Sequence, residues 1–212
     1  MKVLKVILIV LAVLAAILVV VGLLLPSDFN VERSKTIDAP QEELFAQVND
    51  VKNWNNWNAW NKMDENWKVT YSDNTAGEGA WYSWVSEDEN VGKGKVSITK
   101  SEPNSLVEGT MEFEGMKPAN IYHKFEPQED GKVKVTFGIK SDIGNNILMK
   151  FIFNLAGEKM VGDNYKKSLD DLEAYVKANP APKEIKEIEP DLPGNDSVAK
   201  QDATEVEIID VN

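Results

Sequence analysis

The stretch NNILMKFIFNLAGEKMVGDNYKKSLDDLEAYVKA, Asn145 to Ala178, decides the fold. Phe151, Leu155, Gly162, Tyr165, Leu169, Leu172 and Val176 are its apolar or small positions. From Gly162 onward they recur at alternating steps of three and four, the repeat of one helical face. Lys166, Lys167, Asp170, Asp171 and Glu173 fall between them and suit water. Asn145 or Asn146 can cap the start, and Asn179 followed by Pro180 stops the helix. Gly157 and Gly162 weaken its middle, which predicts a bend or break near Gly157. From Glu158 to Ala178 the helix would run roughly 30 Å at ~1.5 Å per residue. One apolar stripe of that length needs a broad partner, with a binding cavity expected between the two.

Residues 29–140 supply that partner as a series of strands. Phe29 to Ile37 alternates weakly, with Val31, Arg33, Lys35 and Ile37 on one side. Asp38-Ala-Pro40 ends it and starts a short helix with Leu44, Phe45 and Val48 as its buried stripe. Trp67 to Tyr71, Ala80 to Ser86, Lys93 to Lys100, Leu106 to Glu114 and Ala119 to Phe125 read as short strands separated by turn signals. Lys132 to Lys140 alternates most cleanly: Val133, Val135, Phe137 and Ile139 against Lys132, Lys134, Thr136 and Lys140. Asp130-Gly131 is a hairpin signal before it. One apolar and one wet face per strand describe an antiparallel sheet covered on one side. The order of a strand, two short helices, about six meandering strands and a long helix is an α+β plan. A strongly twisted sheet of this kind curls around the helix and leaves room at its concave face.

Trp54, Trp57 and Trp60 recur every three residues, one face of a short helix or 3₁₀ turn. They read as packing that plugs the end of the sheet, with an aromatic portal for a ligand as the functional alternative.

Val6 to Leu25 is 20 residues without a polar side chain, long enough to span the ~30 Å hydrocarbon layer. A cleaved signal peptide is the alternative, but the run exceeds an h-region and Leu23, Leu24 and Leu25 stand where a small-residue cleavage site belongs. The reading is therefore one transmembrane anchor over residues 1–27. Lys2 and Lys5 precede the run, which places the N-terminus in the cytoplasm and the soluble domain outside it. Residues 179–212 carry three lysines, nine acids and four prolines, the composition of a disordered acidic tail.

The chain has no cysteine and one histidine. Thiolate chemistry and multi-histidine metal sites are excluded, and no cofactor fingerprint is present. The net charge of −12 argues against nucleic acid as a partner.

Val31 to Ala178 resembles the START/polyketide-cyclase superfamily, the helix-grip fold. The residues that carry the resemblance come in a characteristic order: Ile37-Asp-Ala-Pro40 before Leu44-Phe45, then the Trp54/Trp57/Trp60 segment and Gly77-x-Gly79-x-x-Tyr82-x-Trp84. Phe125-Glu-Pro127 before Asp130-Gly131-x-Val133 and Gly162 before Leu169-x-x-Leu172 complete it. The resemblance implies a curved sheet around the C-terminal helix over residues 28–178 and a hydrophobic cavity between them. It implies no single reaction, since members include cyclases, lipid carriers and hormone sensors, and no catalytic motif of the family is found to transfer.

Tyr82, Trp84, Met111, Phe113, His123, Phe137, Phe151, Leu155 and Tyr165 are the expected ligand-binding residues on the inward side. The resemblance, rather than alternation alone, selects Tyr82 and Trp84 over Trp81 and Ser83 as the inner pair, and places Trp84 across from Tyr165. His123 shares a face with Ile121 and Phe125 and is the one candidate base near neutral pH; a polar group satisfied in the pocket wall is the plainer reading. Glu108, Glu112 and Glu114 belong to a solvated face. A membrane-anchored binding or carrier module for a hydrophobic small molecule or lipid leads. A structural or interaction protein of the cell envelope follows, and a cyclase- or hydrolase-type enzyme comes last, because acid–base residues are scarce in the expected pocket.

Overall fold

The computed structural model describes residues 2–88 and 91–180. Helix α1 (Lys2–Leu24) is followed by β1 (Asp28–Ile37), α2 (Gln41–Asn49), α3 (Trp54–Trp57) and a 3₁₀ turn at Trp60–Lys62. Strands β2 (Lys68–Tyr71), β3 (Trp81–Val85), β4 (Lys93–Glu102), β5 (Leu106–Phe113), β6 (Ala119–Pro127) and β7 (Val133–Asp142) come next. The chain then forms α4 (Ile147–Ile152), a π-helical turn (Phe153–Gly157) and α5 (Glu158–Ala178). The acidic tail expected beyond Asn179 falls, except for Asn179 and Pro180, outside the described residues.

The seven strands make one antiparallel sheet in the order β1-β7-β6-β5-β4-β3-β2. Strands β2 to β7 form a meander, and β1 closes the far edge by pairing with β7, Val31 opposite Ile139 and Ile37 opposite Val133. This is the curved sheet with a long C-terminal helix expected of the helix-grip plan. Helix α5 lies along the sheet over β1 and against α2 and α3. Its Tyr165, Leu169, Leu172 and Val176 are buried at the expected helical steps, together with Ser168.

The weak alternation of β1 has a physical cause. Phe29, Val31 and Ile37 are buried, but Arg33 and Lys35 share their side of the strand and are only partly covered. At this edge the inner face meets the acidic flank of α5. Arg33 Nη2 donates to Glu158 Oε1 at 2.5 Å. Lys35 Nζ stands 2.5 Å from Asp170 and 2.6 Å from Glu173. Thr136, expected on the wet face of β7, is buried: its hydroxyl pairs with that of Ser34 on β1 at 2.8 Å.

The helix start and break fall where the residues put them. Asn146 caps α4, its side-chain oxygen accepting from Met149 N–H at 3.2 Å. The break at Gly157 is a π turn over Phe153–Gly157. One extra residue in a turn rotates everything before it relative to everything after it, so the apolar positions on the two sides do not form one stripe.

Helix α1 is long and apolar enough to cross a membrane, by length and composition. Near its end Gly22 is buried against α4: a Cβ there would overlap Ile147 and stand 3.0 Å from the Phe151 ring.

Candidate functional site

The segment after α2 builds one wall of the space between sheet and α5. A helix end leaves its last carbonyls without partners. Here two indoles supply the protons: Trp54 Nε1 donates to Val48 O at 2.8 Å and Trp57 Nε1 to Gln47 O at 3.2 Å. Both rings are thereby turned inward and buried. Ser168 fixes the same segment to α5, its hydroxyl oxygen accepting from Ala59 N–H at 2.9 Å. Asn58 Oδ1 accepts from Trp60 N–H at 3.0 Å.

His123, on β6, stands at the centre. Its ring meets Phe137 edge-on at 4.6 Å and Trp54 at 5.2 Å, with Trp57 at 6.5 Å. Tyr165 from α5 covers Phe137 at 6.1 Å. Burial among these rings pushes the His123 pKa down to about 3, against a backbone hydrogen bond with Val107 that raises it. The imidazole is neutral at physiological pH, and its Nδ1 has no hydrogen-bond partner among the described residues. Burial likewise raises the pKa of the Tyr165 phenol.

A cavity of about 10 Å³ remains, lined by Trp54, Trp57, Asn58, Trp60, Met111, Ile121, His123, Phe137, Tyr165 and Ser168. That is room for about one water. The broad cavity expected between sheet and helix is filled by aromatic side chains in this conformation. Trp60 and Met111 are the partly exposed members of the lining.

Of the expected binding residues, Met111, His123, Phe137 and Tyr165 come together at this cavity. Tyr82 and Trp84 do face inward, as chosen over Trp81, and both are buried. They do not line the cavity but belong, with Phe113, to the aromatic cluster at the β2–β5 end, which joins the cavity wall where Tyr82 meets Trp54 at 5.9 Å. There Trp84 packs against Trp67 at 6.0 Å and Phe113 at 5.4 Å, and its Nε1 donates to Val91 O at 3.1 Å. The expectation that Trp84 lies across from Tyr165 is thus corrected: three strands separate β3 from β7 in the sheet order, and Tyr165 sits over β7. Phe151 and Leu155 are corrected as well. Phe151 packs on α1, and Leu155 is 81% exposed. The π turn rotates both off the α5 stripe, and Phe153 takes the inward place, 4.9 Å from Phe29. Trp54, Trp57, Trp60, Asn58, Ile121 and Ser168 complete the lining. The three-residue spacing of the tryptophans signalled the first three. Ser168, lying between Tyr165 and Leu172 at helical steps, was the signal for the last.

Residues 28–177 match the family model described as polyketide cyclase / dehydrase and lipid transport. The chain belongs to this family. Solved structures share its fold at low identity. A protein of unknown function from Staphylococcus aureus aligns with a TM-score of 0.55 and 13% identity over 71% of this chain and 94% of its own. A protein from Mesorhizobium loti aligns at 0.52 and 12%, over 71% and 98%. Ara h 8.0201 aligns at 0.50 and 14%, over 72% and 99%. None of the curated proteins searched matches the chain.

Proposed function

We propose that the chain is a membrane-anchored binding or carrier module for a hydrophobic small molecule or lipid, with residues 1–27 as anchor and 28–178 as the binding domain. The observation that carries the reading is His123 Nδ1, a buried polar atom without a partner among the described residues, placed among the rings that line the cavity. An unpaired buried polar atom costs about 1–3 kcal/mol, and such an atom in a native fold calls for an explanation. A ligand hydroxyl supplies one. A hydroxyl can pair with Nδ1 whichever ring nitrogen carries the proton, and the aromatic walls suit an apolar body. The ligand class is lipid-like with a single hydroxyl-type polar group. The space of one water means that entry requires partly exposed Trp60 and Met111 to turn aside. A cyclase or dehydrase reaction needs a group that exchanges protons near neutral pH. A histidine held at about 3 does not supply one, which favours binding over turnover.

Native mass spectrometry of the full-length protein, purified in nanodiscs and exposed to a total lipid extract, tests this. A one-to-one adduct on the wild type that is largely lost in His123→Leu is the expected result. An adduct unaffected by His123→Leu would move binding elsewhere. No adduct on the wild type would leave a core filled by its own side chains, and with it the second reading, a structural or interaction protein of the envelope, which the small cavity favours.

A further inference from the structure

Three apolar side chains next to the end of α1 have no cover. Leu148 is 63% exposed, Ile152 44% and Leu155 81%. Leu148 and Ile152, four apart, share one side of α4, and Leu155 follows in the π turn. Exposed leucines scattered singly need no explanation, but three bare together in one short helical segment form a patch.

The position of that patch is fixed by its contacts with α1. Gly22 lacks a side chain where Ile147 and Phe151 approach, so α4 lies directly on the last turn of α1. Gly22 is two residues from the end of the helix at Leu24, or about 3 Å along its axis at 1.5 Å per residue. Asn154 Nδ2 then donates to Pro26 O at 3.2 Å, just past the end of α1. The α4 segment is therefore level with the place where an anchor formed by α1 leaves the hydrocarbon. Over the rest of its length α1 is bare, Val10 51% and Leu14 51% exposed, for example. The bare apolar helix α1 thus adjoins the segment that carries Leu148, Ile152 and Leu155.

We propose that this face is buried in the boundary between headgroups and acyl chains of the same bilayer that α1 spans, so that the domain lies on the membrane surface. The proposal rests on the reading of α1 as an anchor. Interfacial helical segments bury an apolar face a few ångströms into the acyl boundary, and a face level with the last turn of a spanning helix sits at that depth. A phospholipid surface, rather than a second protein, is the occupant because α1 already holds the segment there.

The chain has no cysteine, so single-site labelling is clean. Leu148→Cys, Leu155→Cys, Lys166→Cys and Val10→Cys variants of the full chain would each carry an environment-sensitive fluorophore in phosphatidylcholine vesicles. Quenching is then read with nitroxides placed near the headgroups or deep in the acyl chains. Lys166, whose side chain is 75% exposed on α5, is the water control; Val10 reports the anchor. Labels at Leu148 and Leu155 should be quenched by the shallow nitroxide several-fold more than the label at Lys166, and the label at Val10 by the deep one. If Val10 is quenched but Leu155 behaves like Lys166, the face is in water and the proposal fails while the anchor stands. If Val10 is not quenched, the anchor reading fails and takes the proposal with it. Leu155 shielded from lipid nitroxides and from an aqueous quencher alike would mean a second copy covers the face, which also overturns it.

Discussion

The guanidinium of Arg33 fills the place of a side chain at Gly162: a Cβ on this turn of α5 would overlap Nη2. The glycine read from sequence as a small member of the helix stripe is the gap through which a charge on the edge strand reaches Glu158.

Two glycine substitutions with similar clashes should therefore differ in cost. Gly162→Ala meets the tip of a flexible, partly exposed arginine, which can swing away. It gives up at most the ~0–1 kcal/mol of an exposed ion pair and gains ~1 kcal/mol of helix propensity. The net change in unfolding free energy should lie between zero and about 1 kcal/mol of stabilisation. Gly94→Ala on β4 meets the Trp84 ring and the Glu112 carbonyl oxygen, the latter at 2.5 Å. Neither can retreat without moving a strand, so a loss of about 1–3 kcal/mol is expected. Urea titrations of both variants check this, and equal costs would contradict the packing described.

Trp84 and Trp81 test the register of β3. Trp84 is 5% exposed and closes the β2–β5 cluster, so Trp84→Ala should cost about 3–5 kcal/mol. Trp81 lies on the other face with Lys95 Nζ 4.8 Å from its ring centre. Its replacement by alanine should cost no more than about 1 kcal/mol. Neither residue lines the His123 cavity, so any adduct in native mass spectrometry should survive in both variants. Loss of the adduct in Trp84→Ala at a temperature where the variant is folded would extend the site into that cluster.

Much of this arrangement is legible in the residues. Strand alternation put His123 and Phe137 on their inward side, the family resemblance selected Tyr82 and Trp84, and helical steps from Gly162 marked the buried face of α5. Two things were not legible, for separate physical reasons. The π turn adds a residue whose effect on facing cannot be read from spacing, so Phe151 and Leu155 looked continuous with Tyr165. Apolar residues that meet another helix or lie bare also have the same composition as core residues. Within the sheet, alternation tells the side but not the distance along it, and so Trp84 was placed opposite Tyr165 when three strands lie between. The tryptophans at 54, 57 and 60 read as a plug with a portal as the alternative, because spacing does not show depth: Trp54 and Trp57 are buried in the concave face, and all three line what space is left.

Orientation is tested independently of the site. Lys2 and Lys5 flank only the N-terminal side of α1, and Ser27 and Asp28 follow it. A periplasm- or exterior-active reporter fused after Asn212 should be active and a cytoplasmic one silent. A mature N-terminus near Ser27 would instead make α1 a removed signal sequence.

The buried histidine predicts a particular acid sensitivity. In the unfolded chain His123 titrates near its ordinary value of 6.5, and in the fold at about 3. Between these values the unfolded state binds one more proton, so stability falls as pH falls, and above about 6.5 the group contributes no slope. The slope is ~1.4 kcal/mol per pH unit, which amounts to a loss of about 2 kcal/mol between pH of about 7.5 and 5. Asp170 and Glu173, lowered by their hydrogen bonds with Lys35 and Lys177, lose their contributions only below their ordinary values of 3.8 and 4.5. The range above pH 5 therefore isolates the imidazole from those carboxylates. His123→Leu keeps the ring contacts apolar and removes the proton acceptor. Urea titrations of wild type and variant in mild detergent should show stabilities that diverge on acidification, the wild type losing the ~2 kcal/mol and the variant not. Parallel pH profiles would mean that the imidazole is reached by water in solution and that its burial among Trp54, Phe137 and Tyr165 is incomplete.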